Sequence, residues 1–197
     1  MQRFLSRLAL AASVAVARPA VASFHLWDVD EVFSNADGSV QYVELFDASP
    51  GEQFLTGHFL RTQQNGSALE TFTFDKDLLV GPSDSTKNRH FLVATPAFEA
   101  AAGIKPDYLL PGPGWIEVGV ADVINYANVD SFSLAGLPTD GVHALFDGGA
   151  TGEPTPTNFA GEVGTLDLPE PAAGLASGAA LAALLVSARH RARRSCA

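Results

Sequence analysis

Asp28, Asp30, Glu31, Asn35 and Asp37 crowd into a short stretch near the start of the chain, and oxygen donors at that density could hold a cation. Calcium takes about six to eight oxygen ligands, and an Asp- and Asn-rich turn can supply several. The spacing departs from the D-x-[DN]-x-[DN]-G loop, because Phe33 falls at the first ligand position once Asn35, Asp37 and Gly38 are aligned to it. The same residues suit a solvated hairpin rim whose Asn and Asp side chains shape the turn. The expectation adopted is no cofactor, with Ca²⁺ on Asp28, Asp30, Asn35 and Asp37 as the alternative.

Other chemistry finds little support. His25, His58, His90 and His143 stand more than thirty residues apart and form no H-x-H or H-x-x-x-H pair, so each reads as a strand residue before a zinc ligand. There is no G-x-S-x-G elbow for a serine nucleophile. The single cysteine, Cys196, lies at the extreme C-terminus, which removes thiol catalysis and disulfides from the middle of the chain. Gly112-Pro113-Gly114 is no phosphate loop, since proline lacks an amide donor and no Gly-Lys-Ser/Thr follows. A glycosidase needs two carboxylates about 5 to 9 Å apart across a cleft, which sequence does not reveal. Trp115, beside the 111–114 loop, is a candidate stacking residue for a sugar and equally a candidate core residue. These observations point to a protein that is not an enzyme.

The elements that would position these residues read as strands. Segments 24–33, 40–46, 53–62, 69–74, 90–95, 115–120, 131–134 and 142–146 are rich in β-branched and aromatic residues. Asp37-Gly38 between the first two is a hairpin signal, because that turn needs positive φ. Phe72 and Phe74 share a face, as period 2 requires. One short helix is expected over 96–102, with proline first and Gly103 after it. Seven to nine short strands separated by Gly and Pro turns predict an all-β sandwich over 23–147. Residues 148–167, rich in Gly, Pro and Thr, read as a linker.

Both ends differ from this middle. Residues 1–22 have the plan of a signal peptide: Arg3 and Arg7, an uncharged run over 8–17, and an Ala20-Val21-Ala22 cleavage site. At the other end, Pro169-Glu170-Pro171 leads into an uncharged segment, 172–188, of about 26 Å if helical. That is near the lower limit for a membrane span. A basic tail, 189–197, follows with Arg189, Arg191, Arg193 and Arg194. Arginines beside a span stay on the cytoplasmic side, so the middle domain lies outside. Between 23 and 168 only Arg61, Lys76, Lys87, Arg89 and Lys105 oppose 21 Asp and Glu, a net charge of −16. Such a surface repels nucleic acid and anionic lipid.

The order of Pro-Glu-Pro, short apolar helix and Arg-rich end over 168–197 resembles the PEP-CTERM sorting signal. The resemblance implies recognition of Pro169, Glu170 and Pro171 by an exosortase at the inner membrane. Export by the Sec machinery with signal peptidase, a transient inner-membrane-anchored precursor, and release to the cell surface or exopolysaccharide matrix are then expected. The Gram-positive sortase signal differs, since Pro171 and Ala172 stand where it has Thr and Gly. Separately, 26–95 resembles the opening of a lamin-tail-type domain, in 29–33, Val43-Glu44-Leu45 and Leu55-Thr56-Gly57, though Asp47 and His58-Phe59 stand near where that family has Asn and Trp. That likeness implies an immunoglobulin-like sandwich that tethers or binds. The combined expectation is an exported display or binding protein, with exopolysaccharide as a candidate partner. A polysaccharide hydrolase and a calcium-dependent adhesion module are the alternatives.

Overall fold

The computed structural model describes residues 24–78 and 85–168. The signal segment 1–22, Pro169-Glu170-Pro171, the apolar segment 172–188 and the basic tail lie outside the described residues. Among those described, no helix is long and apolar enough to cross a membrane.

Among the described residues, ten strands form two sheets: β1 Asp28–Ser34, β2 Gln41–Asp47, β3 Phe59–Gln64, β4 Ser67–Thr73, β5 Arg89–Ala94, β6 Tyr108–Leu109, β7 Val123–Tyr126, β8 Asp130–Ser133, β9 Ala144–Phe146 and β10 Thr151–Gly152. The six-stranded sheet runs β10-β9-β1-β2-β5-β6 and the four-stranded sheet β4-β3-β7-β8. All pairings are antiparallel except β5 with β6. The α-helix among the described residues, α1 Phe98–Ala102, ends at Gly103, whose φ of 71° gives the left-handed cap that glycine adopts without strain. The all-β, two-sheet architecture with a short helix is therefore the one expected from the pattern of strands and turns.

The main core lies between the sheets. Val29, Val32, Val43, Leu45, Phe91 and Val93 from the large sheet meet Leu60, Ile124, Tyr126 and Phe132 from the small one. Phe74, Phe91, Tyr108 and Tyr126 join it edge-to-face, with ring centroids 4.9 to 6.1 Å apart. Such aromatic pairs add about 0.5–1.5 kcal/mol each beyond their buried area.

A second cluster covers the opposite face of the large sheet. Phe33, Tyr42, Leu92 and Ala94 pack there under α1, Ile104, Leu166 and Leu168. Strands β1 and β2 are thus buried on both faces, which explains why 41–47 (QYVELFD) does not alternate cleanly between apolar and polar residues.

Three expectations are corrected. Residues 148–167 are not a linker. Thr151–Gly152 extend the large sheet, Thr157 bridges Val163, and Pro156, Asn158, Phe159 and Gly164 are buried. The segment crosses the outer face as a strap. At Gly164 a Cβ would come within 2.9 Å of the Ala102 carbonyl oxygen, so only glycine fits this approach without displacement. Residues 115–120 form no strand: the Gln41 side-chain amide donates to the Ile116 carbonyl and accepts from its N–H, pinning a loop that turns at Gly119. The 53–62 strand starts only at Phe59, after a turn at Gly57 with φ of 83°. Strands β6, β7 and β10 have no counterpart in the expected set.

Candidate functional site

The residues with chemistry gather on the outer face of the large sheet. Register sets them there: Glu31 pairs Glu44 between β1 and β2, Phe33 pairs Tyr42, and Phe46 pairs His90 between β2 and β5. Paired residues share a face, so Glu31, Tyr42, Glu44 and His90 form one polar patch. A register shift between Val29 and Glu31 makes Asp30 the extra residue of a bulge, and a bulge re-aims the side chain it carries. Donor atoms of Asp30, Glu44 and His90 all come within 4.8 Å of one another.

The strap closes over this patch. Thr155 donates its N–H to Glu31 Oε1 at 2.9 Å and its hydroxyl to Oε2 at 3.0 Å, and the Tyr42 hydroxyl donates to Oε1. Thr157 donates its N–H to Glu44 Oε2 at 2.6 Å, while Glu44 Oε1 lies 2.5 Å from His90 Nδ1. That last contact sets the carboxylate oxygen against the imidazole nitrogen as a close, charge-assisted pair. The pattern extends along the strap. Phe159 donates its N–H to Asp107 Oδ2, which also accepts from Leu92, and Arg89 donates to the Phe159 carbonyl. Buried carboxylates thus hold the strap by its backbone amides, and such charge-assisted bonds are stronger than neutral ones.

Burial sets the electrostatics. It pushes the Glu31 carboxyl up to about 6, against the pull of its Tyr42 and Thr155 hydrogen bonds. Burial also raises Glu44, partly offset by His90 and the Thr157 amide. The Glu44 contact in turn raises His90. Tyr42 is driven well above its ordinary value, first by burial and then by the Glu31 charge. Asp107 is raised by burial as well.

The four expected calcium ligands do not converge. Asp28 begins β1 and Asn35 follows its end, a separation of roughly 20 Å along an extended strand. Asn35 and Asp37 serve the hairpin instead: Asn35 Oδ1 accepts from the Val40 N–H, Asn35 Nδ2 donates to Ser39 Oγ, and Asp37 Oδ1 accepts from the Ser39 N–H. Of that set, Asp30 alone enters a donor cluster among the described residues. Trp115 is 2% exposed and belongs to the core, so it offers no stacking face. His143 pairs with Asp140 on the surface, and His58 stacks on Phe24.

A groove of about 480 Å³ runs beside the strap, lined in part by Lys76, Arg89, Lys105, Asp107, Tyr108 and Phe159. It brings three of the five cations found between 23 and 168 together with three acids, Asp77, Asp107 and Glu162. Lys76 lies over the Tyr108 ring and Arg89 over Phe159. Neither this groove nor the His90 cluster is marked by a local motif. The available signal was Glu44 set between Val43 and Leu45, a charge inside an apolar run.

Comparison with known proteins places no relative beside this chain: no protein-family model, no curated protein and no solved structure matches it.

Proposed function

We propose that this chain is an exported protein, sorted by an exosortase and displayed at the cell surface or in an exopolysaccharide matrix, where an immunoglobulin-like, lamin-tail-like sandwich acts by binding. The observation that carries this reading is the order of Pro169-Glu170-Pro171, the uncharged 172–188 segment and Arg189, Arg191, Arg193 and Arg194. The signal-peptide plan of 1–22 supports the same export. Leu168, the last described residue, lies against the outer cluster and near Gly141. The groove, where Lys76, Arg89 and Lys105 stand among Asp77, Asp107 and Glu162, supports a polysaccharide as the ligand class, because that mixed set offers donors and acceptors to hydroxyl groups.

The test replaces Pro169, Glu170 and Pro171 with alanine in the exporting cell. The expected result is an unprocessed precursor retained in the inner membrane. A variant that reaches the surface at wild-type mass contradicts exosortase sorting.

A further inference from the structure

We propose that Asp30, Glu44 and His90 form a binding site for a zinc-class divalent cation. The donor set is two carboxylates and an imidazole. Calcium and magnesium favour all-oxygen sets, whereas an imidazole with carboxylates suits zinc and its neighbours. The three residues sit on adjacent strands β1, β2 and β5, so the sheet fixes their spacing. Zinc lies roughly 2.0–2.2 Å from oxygen and nitrogen donors, which places two donors on one ion about 3.4 to 4.3 Å apart. The observed limit of 4.8 Å therefore closes with small side-chain rotations. Asp30 is half-buried and sits on the bulge of β1, which presents its carboxylate toward Glu44 and His90.

Two further features bear on how the cluster would take an ion. The 2.5 Å contact between His90 Nδ1 and Glu44 Oε1 is shorter than the separation of two donors on one ion, so binding would part this pair by about 1 Å. The charge is also unbalanced: Asp30, Glu31 and Glu44 bring three carboxylates to one imidazole, and a divalent cation relieves that repulsion. The supporting shell is present as well. The Thr157 N–H holds Glu44 Oε2, leaving Oε1 for the ion, and the Phe46 ring, 4.8 Å from the His90 ring, fixes the imidazole. Such outer contacts orient metal ligands. His90 is 29% exposed, so the site is reached from solvent and leaves a coordination position open to an exogenous donor.

The experiment uses the full-length chain in mild detergent, stripped with EDTA and titrated calorimetrically with Zn²⁺. His190→Gln and Cys196→Ser are introduced first, to silence donors on the basic tail. One Zn²⁺ per chain is expected. Asp30→Asn and His90→Gln should each weaken binding at least about tenfold, with near-UV circular dichroism unchanged. Asp140→Asn with His143→Gln, which removes the surface pair, should leave binding intact. Co²⁺ substitution gives a second readout, a visible d–d band lost in both cluster variants. Absence of Zn²⁺ binding, binding indifferent to Asp30→Asn and His90→Gln, binding lost with the His143 pair, or displacement of Zn²⁺ by equimolar Ca²⁺ would each overturn the proposal.

Discussion

Replacing Phe159 with alanine tests whether the strap belongs to the domain. Phe159 is 7% exposed, joins the main core, lies under the Arg89 guanidinium and donates its amide to Asp107. Truncating a buried Phe costs about 3–5 kcal/mol. The lower value applies here, because the site borders an open groove and the backbone bonds to Asp107 and Arg89 survive the substitution. A domain of roughly 145 residues has an unfolding entropy near 0.3 kcal/mol/K, so ~3 kcal/mol lowers Tm by about 10 °C. Calorimetry of a 24–168 fragment supplies the assay. Val163→Ala is the control, since Val163 is 66% exposed on the same strap and should shift Tm by less than about 2 °C. Equal melting of wild type and Phe159→Ala would refute the packed strap and restore 148–167 as a linker.

Two further outcomes follow from the charges. Glu31 has its folded pKa raised to about 6 from an ordinary 4.5, so the folded state holds the extra proton between those values. Its stabilising contribution is complete below about pH 4.5 and lost as pH rises through about 6, on the order of 2 kcal/mol. Asp28, Glu44, Asp47 and Asp107 shift in the same direction. Urea unfolding in EDTA should show greater stability at pH 5 than at pH 7.5, and Glu31→Gln should narrow the gap; stability that falls on acidification from 7.5 to 5 would contradict the assignment. In the groove, Lys76→Ala with Lys105→Ala should reduce retention on immobilised exopolysaccharide, while Lys87→Ala should not.

The sandwich was legible because its signals are local. Asp37-Gly38 turns the first hairpin with Gly38 at φ of 68°, and Gly103 caps the helix where the Pro96-to-Gly103 pattern placed it. The strap was not legible, because its attachments are backbone amides. Thr155 and Thr157 reach carboxylates 124 and 113 residues away, and nothing in a Gly-, Pro- and Thr-rich composition announces such acceptors. The donor cluster was hidden for a related reason. Antiparallel register brings Glu44 beside His90 across β2 and β5, and a bulge turns Asp30 toward them. Spacing along the chain favoured Asp28 and Asp37 as partners, yet an extended strand holds those two far apart.

The central claim is export with removal of both ends, and the intact mass of the surface-associated protein tests it most directly, in cells with and without an active exosortase. The account predicts a product that starts near Ser23, ends close to Pro169-Glu170-Pro171 and lacks the 172–197 segment, with a longer inner-membrane form accumulating when the exosortase is absent. A surface protein that retains Arg189 to Arg194, or one whose mass is the same in both strains, would contradict it.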